Sequence, residues 1–302
     1  MNCRNPFYLN RGSGKVSYER LRNLSPELRL LHTPLPCGRC IACRVFKAQC
    51  WTTRILLEST HYENNTFTTL TYDDEHLPEN GHLKKEDLTL WLKRLRKEVP
   101  QKLRFFAVGE YGGESLRPHF HVMLFNLAFT EEEVISDTWG KGNIKNGEVN
   151  SRSARYVTEY CVKKWTKNSF DRPSDLPPEF MRSSRQHPGG IGTVALEELS
   201  ANLRRIYGVR NGEPYTGPPI HMVQFQNKWY FLDRYLKTKL NELMYLDPEV
   251  SRQKLYEHQT KIFEKHLTVD NYFDKKNLKF KNRKQSDRSE RKKRKLKPRR
   301  EL

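Results

Sequence analysis

The sequence has 302 residues, of which 30% are charged and 11% aromatic, with a mean hydropathy of −0.86. That is enough chain for one large or two modest domains with heavily charged surfaces. No apolar run approaches the roughly 20 residues of a membrane span. The start, Met1-Asn2-Cys3-Arg4-Asn5-Pro6, lacks the apolar core of a signal peptide, so a cytoplasmic protein with no membrane partner is expected.

The net charge is +19, from 55 Lys and Arg against 36 Asp and Glu. Residues 275–302 hold 15 Lys/Arg against 3 Asp/Glu, an excess of 12, which leaves only 7 of the 19 for the rest. A low-complexity polycationic tail of this kind suits nucleic-acid phosphates, where counterion release gives sequence-independent affinity. A merely solvated tail is the alternative.

Residues 1–36 show weak periodicity and several turn formers, and read as an irregular arm. Four of the six cysteines, Cys37, Cys40, Cys43 and Cys50, then fall within fourteen residues. In a cytosolic chain this points to metal or free thiols before disulfides. Cys37-x-x-Cys40 resembles half of a zinc knuckle, with Cys43 as a third ligand and Cys3 as a fourth for a structural Zn²⁺. No second Cys-x-x-Cys completes a zinc ribbon, and small buried thiols at a helix start are the other reading.

Apolar spacing predicts a helix from Ile41 to about Ser59, with Trp51, Ile55 and Leu56 on one face. Thr66–Tyr72 has strand composition, and Asp87–Val99 an amphipathic helix stopped by Pro100. Leu103–Glu110 is a strand, and Tyr111–Ser115 a turn. In Arg117-Pro118-His119-Phe120-His121-Val122-Met123-Leu124-Phe125 the alternation is that of a strand. Its period of two sends His119 and His121 to one face, as two imidazoles converging on one ion must go. Pairing of the two strands as an antiparallel hairpin brings Glu110 near His119. A two-His, one-carboxylate set suits Mg²⁺ or Mn²⁺ with positions left for phosphate oxygens. Glu114, in the turn, is the second choice for the acid.

Thr130 and Glu133 form a capping-box pattern for a short helix through about Ser136, and Ile144–Val149 reads as extended. Ser153–Trp165 reads as a helix. Tyr156 and Tyr160, four apart, leave one face a turn apart, and Lys163 reaches the same surface. Two core tyrosines on an amphipathic helix are the bland alternative. Residues 166–195, rich in proline and glycine, read as a long loop. Helices are expected over Leu196–Tyr207, Trp229–Met244 and about 249–268.

The motifs occur in one order: a Thr-rich strand, His-Phe-His, then Tyr-x-x-x-Tyr-x-x-Lys. This order resembles the HUH endonuclease superfamily in its rolling-circle replication initiators. Pro36–Arg44, Gly109-Glu110-Tyr111-Gly112, Arg117–His121 and Tyr156–Lys164 together resemble the initiators of gokushovirus-type microviruses, small single-stranded DNA phages. The likeness is good over about residues 1–165 and thin over 166–274. It implies an α+β fold, with a central antiparallel sheet of about five strands flanked by helices, the HUH palm, and further helices C-terminal. The division expected is a Cys-rich arm and helix (1–60), the endonuclease core (61–170), a loop and helical extension (171–274) and a disordered basic tail (275–302).

The resemblance further implies an activity, nicking and rejoining single-stranded DNA at a phage origin through a 5′-phosphotyrosine. His119, His121 and Glu110 would hold Mg²⁺ or Mn²⁺. Tyr156 and Tyr160 would alternate as nucleophiles, with Tyr160 favoured if only one works, and Lys163 would stabilise phosphate charge or help activate a phenol. A host DNA polymerase would extend the freed 3′-hydroxyl. No Gly-x-x-x-x-Gly-Lys-Ser/Thr run is present, so unwinding would fall to a host helicase. The competing readings are a non-catalytic nucleic-acid binder with zinc at the cysteines, and a Tyr-transposase of the same superfamily.

Overall fold

The computed structural model describes residues 3, 6–17, 31–112, 115–128, 130–163, 176–185 and 189–267, the side chains of 34, 160–163 and 262–267 excepted. Two compact units are present: Met1–Lys47 with Val209–His221 and Asn241–Leu302, and Ala48–Gly208 with Met222–Leu240.

In the first unit the arm is not irregular. β1 (Phe7–Asn10) pairs antiparallel with β2 (Val16–Ser17) and with β3 (His32–Leu35). Each strand is short, and β3 contains Pro34, so none announces itself by alternation. The unit also holds the start of α1 (Ile41–His61), whose run exceeds the expected Ser59 by two residues.

The second unit is built on a five-stranded sheet. Its strands are β4 (Asn65–Thr71), β5 (Arg104–Tyr111), β6 (Pro118–Phe125), β7 (Ile144–Glu148) and β8 (Phe180–Ser183), in the order β7-β4-β6-β5-β8, antiparallel throughout. The helices are the remainder of α1, α2 (Lys85–Glu98), α3 (Glu132–Trp139), α4 (Ser151–Lys163) and α5 (Leu196–Ile206). The α+β architecture with its antiparallel sheet is therefore as expected. The C-terminal helices α6 (Arg234–Tyr245) and α7 (Pro248–Leu267) follow a hairpin, β9 (Met222–Phe225) and β10 (Lys228–Phe231).

Three details differ from expectation. β8 lies inside the stretch read as a loop, because four residues between prolines carry too little periodicity to show as a strand. Residues 228–231 are strand, not the start of a helix. Gln226 and Asn227, both at positive φ, turn the hairpin without the Asn-Gly signal. α3 starts at Glu132 with Glu131 as N-cap and no side-chain cap bond, so Thr130 builds no capping box. It runs on to Trp139, where Gly140 at φ 56° returns its N–H to the Ser136 carbonyl.

The sheet has two differently used faces. On one, Phe105, Ala107, Phe120, Val122, Leu124 and Leu70 pack against Leu88, Trp91, Leu95, Ile135 and Trp139 of α2 and α3 in one continuous core. The other face carries Arg104, Phe106, Val108 and Glu110 of β5 beside His119, His121 and Met123 of β6. Trp51 of α1 lies against Phe106 here, with ring centroids 5.2 Å apart. At the far end of this face the Arg104 guanidinium is paired with Glu58 of α1, both buried. Glu58 also accepts the Gly192 N–H at 2.6 Å, while Arg104 donates to the Gly190 carbonyl at 3.1 Å.

Removing one partner of this pair strands a charge in the interior, which costs about 3–5 kcal/mol. Glu58→Ala is therefore expected to lower the urea midpoint sharply. Glu197→Ala, on the first turn of helix α5, is expected to leave it nearly unchanged.

Candidate metal and nucleophile site

The β5–β6 register sets Glu110 directly opposite His119, and β4 sets Thr69 opposite His121. Directly opposed residues on antiparallel strands share a face, so four functional side chains converge at one end of the sheet. Glu110 Oε1 lies 3.5 Å from His119 Nε2 and 3.2 Å from His121 Nε2. One ligand atom from each of the three fits within a 4.8 Å group.

The outer nitrogens are held by the chain. His119 Nδ1 is 3.1 Å from the Arg117 carbonyl, which can only accept. Nδ1 must then carry the proton, leaving the Nε2 lone pair turned to Glu110. His121 Nδ1 is 2.9 Å from the Thr69 hydroxyl, which can accept in the same way. Arg117 is itself fixed: its guanidinium donates to the Tyr72 carbonyl at 3.1 Å and to Asp74 at 2.7 Å. The donor set, two imidazole nitrogens and one carboxylate oxygen in one open group, fits a divalent cation with exchangeable positions.

Helix α4 brings Tyr156 to this cluster. Its hydroxyl is 3.4 Å from His121 Nε2, and its ring meets the imidazole edge-on at 5.1 Å. Phe67 of β4 fills the angle between them, 5.8 Å from His121 and 6.3 Å from Tyr156. Tyr156 is 48% exposed, while His121 is only 5% exposed. The helix is anchored elsewhere. Ala154, Val157 and Thr158 are buried, and the Thr158 and Thr52 hydroxyls are 2.7 Å apart. Asn150 Oδ1 accepts the N–H groups of Arg152 and Ser153 at 2.9 and 3.0 Å, capping the first turn.

The structure thus brings together Glu110, His119, His121 and Tyr156. Tyr160 and Lys163 belong to α4, but their side chains lie outside the described residues, as does Glu114. Thr69, Phe67 and the Arg117 carbonyl were not singled out from sequence. Thr69 lies in the Thr-rich strand that was, but only the β4–β6 register shows which threonine meets a histidine.

In the first unit, one sulfur from each of Cys3, Cys37, Cys40 and Cys43 also falls within a 4.8 Å group. Cys37 and Cys43 sulfurs are 4.0 Å apart, and those of Cys3 and Cys40 are 3.9 Å apart. Backbone N–H groups point into the cluster, Cys37 to the Cys3 sulfur at 3.2 Å and Cys40 to the Cys37 sulfur at 3.4 Å. Burial acts to raise the Cys37 thiol, but hydrogen bonds from the Cys40 and Arg39 backbone and from Cys3 and Cys40 outweigh it and bring it down to about 7. Burial, with hydrogen bonding to Cys40, pushes Cys43 upward. Cys50 stands apart from the four, in the second unit.

A family profile for replication-associated proteins of the ORF2 type matches residues 65–165, the span from β4 through α4. The replication-associated protein VP4 of Bdellovibrio phage phiMH2K is 31% identical over 271 residues, covering 80% of this chain and 84% of the relative. The replication-associated protein ORF2 of Spiroplasma virus 4 is 29% identical over 260 residues, covering 76% of this chain and 78% of the relative. The replication-associated protein ORF4 of Chlamydia phage 1 is 24% identical over 246 residues, covering 74% of this chain and 57% of the relative. No solved structure matches the chain significantly. Likeness over four-fifths of the sequence reaches well past the motif-bearing first 165 residues, and the chain belongs to the replication-associated proteins of gokushovirus-type microviruses.

Proposed function

We propose that this chain initiates phage replication by nicking, and later rejoining, single-stranded DNA at the origin through a covalent 5′-phosphotyrosine. The observation that carries this reading is the Tyr156 hydroxyl, half-exposed and 3.4 Å from His121 Nε2, beside Glu110 and His119. A phosphodiester entering there meets a nucleophile and an ion-binding group together. The phenolic oxygen forms a bond to phosphorus as the bond to O3′ breaks, and the departing O3′ takes up a proton. The 3′-hydroxyl is then free to prime a host polymerase.

Tyrosine suits a reversible cut, because a phenoxide leaves more readily than an alkoxide and the phosphodiester's energy is retained in the link. Rejoining therefore needs no nucleotide cofactor. Glu110, His119 and His121 would hold Mg²⁺ or Mn²⁺, which when bound polarises the scissile phosphate and offsets charge on its oxygens. Tyr160, one helical turn on, would serve as the second nucleophile, and Lys163 as a phosphate contact.

A labelled origin oligonucleotide incubated with the protein and Mn²⁺, then run on a denaturing gel, tests this. A slow-migrating adduct is expected. His119→Ala should reduce it at least about 10²-fold, EDTA should abolish it, and Tyr156→Phe with Tyr160→Phe should remove it altogether. The single variants assign the first nucleophile. Full cleavage by His119→Ala would end the proposal.

Thr69→Val keeps the shape of the β4 side chain but withdraws the acceptor from His121. Outer partners of this kind are worth about 10–100-fold in metal affinity. Mn²⁺ titration followed by electron paramagnetic resonance should show that loss, with the melting temperature little changed.

The same reading gives Cys3, Cys37, Cys40 and Cys43 a structural Zn²⁺. Zn–S bonds of about 2.3 Å in a tetrahedron set sulfurs about 3.8 Å apart, close to the 3.9 and 4.0 Å of the two pairs. Elemental analysis of protein purified without chelator should find one zinc per chain, lost with a fall in melting temperature in Cys40→Ser. Zinc at the thiols with no Mn²⁺ taken up at the histidines would favour a non-catalytic nucleic-acid binder.

A further inference from the structure

The β9–β10 hairpin has an inner and an outer side. Inward, Val223 is buried and Phe225 meets Tyr230 at 6.4 Å. Outward, Trp229 opposite Gln224 and Phe231 opposite Met222 form the other face. Trp229 is 62% exposed and Phe231 40% exposed, so two aromatic rings two residues apart stand largely uncovered. The platform is firmly mounted. The Thr53 hydroxyl of α1 donates to the Phe231 carbonyl at 2.8 Å, Leu232 and Leu236 are buried, and Asp233 is paired with Arg54.

The charge around these rings is one-sided. Residues 222–240 contain Lys228, Arg234, Lys237 and Lys239 against a single acid, Asp233, which Arg54 already engages. Lys228 and Arg234 are exposed. Exposed rings among cations that outnumber the acids are the surface that single-stranded nucleic acid takes: bases stack on the rings and phosphates meet the cations. An apolar protein partner would have no use for the cations, and an acidic one none for two flat rings at strand spacing.

We propose that the outer face of the β9–β10 hairpin is a stacking platform for bases of single-stranded DNA, with Trp229 and Phe231 as the rings and Lys228 and Arg234 as phosphate contacts. It rests on the reading of single-stranded DNA as the substrate, and adds a contact outside the nicking residues. Nothing in the hairpin is needed for bond breaking. Its role is to hold the strand.

The test is the affinity of the full chain for fluorescein-labelled dT20, followed by anisotropy over a range of NaCl concentrations. Loss of one base–aromatic stack corresponds to about 5- to 100-fold in affinity. Trp229→Ala and Trp229→Leu should each weaken binding by that factor, whereas Trp229→Phe, which keeps a ring, should stay within about 3-fold of the parent. The salt dependence should keep its slope in all three, because no charge is removed, and lose about one unit in Lys228→Gln. Adduct formation on a saturating nick-site oligonucleotide should persist in Trp229→Ala, which separates failure of the platform from failure of the nicking reading. Unchanged dT20 binding in Trp229→Ala would overturn the platform. So would a Leu variant that binds like the parent, or a parent dimer in sedimentation that Trp229→Ala dissolves.

Discussion

The registration of β5 against β6 is the constraint on which the second unit depends. With Glu110 opposite His119 and Val108 opposite His121, all three ligating side chains share a face. A slip of one residue would turn both imidazoles into the core and send Phe120, Val122 and Leu124 to the opposite side. Each of those three is fully buried, and exposing such a side chain costs about 1.5–3 kcal/mol. The apolar face thus fixes the geometry of the polar one. Gly109 shows how tightly: a Cβ there would sit 2.7 Å from the Phe180 ring and 3.1 Å from Leu83. β8 reaches its place beside β5 only because that position has no side chain.

This coupling explains which parts of the structure the sequence announces. The histidine strand alternates cleanly because one face is core and the other is site, and the same alternation marks β4, whose residues are buried at every second position. Helices α1, α2 and α4 show in their apolar spacing. The failures are elements too short to carry a period. β1, β2, β3, β8 and β10 have four residues or fewer, and their strand character comes from partners elsewhere in the chain. The hairpin strand β10 read as helix because Trp229, Tyr230 and Leu232 continue smoothly into the apolar positions of α6.

Of the site itself, the ligand types and the Glu110 pairing were legible, since a short turn joins two consecutive strands. What surrounds them was not. Thr69 lies fifty-two residues before His121, and no local pattern ties the two. The cysteine cluster divides likewise: Cys37, Cys40 and Cys43 declare themselves by spacing, while Cys3 joins them only through the fold of the arm. The two groups also differ in chemistry. Four sulfurs form a soft, closed set, whereas two nitrogens and a carboxylate form a harder, open one. Ligand type alone therefore sorts a structural ion from an exchangeable one within a single chain.

The helix that carries Tyr156 is fastened by groups other than its tyrosine. Ala154, Val157 and Thr158 face inward, Thr158 bonds to Thr52 across 2.7 Å, and Asn150 closes the first turn. The phenol itself leans on Phe67 and the edge of His121 and stays half in solvent. The imidazoles are the reverse: deep, and each tied through Nδ1 to a neighbouring strand's hydroxyl or a carbonyl. An ion-binding group gains from rigidity, because misplaced ligands lose affinity steeply. A nucleophile that must release and later recapture a DNA end gains from an exposed hydroxyl on a helix already secured. Separating the two also separates stability from chemistry, so loss of the phenolic oxygen leaves every anchoring contact of α4 in place.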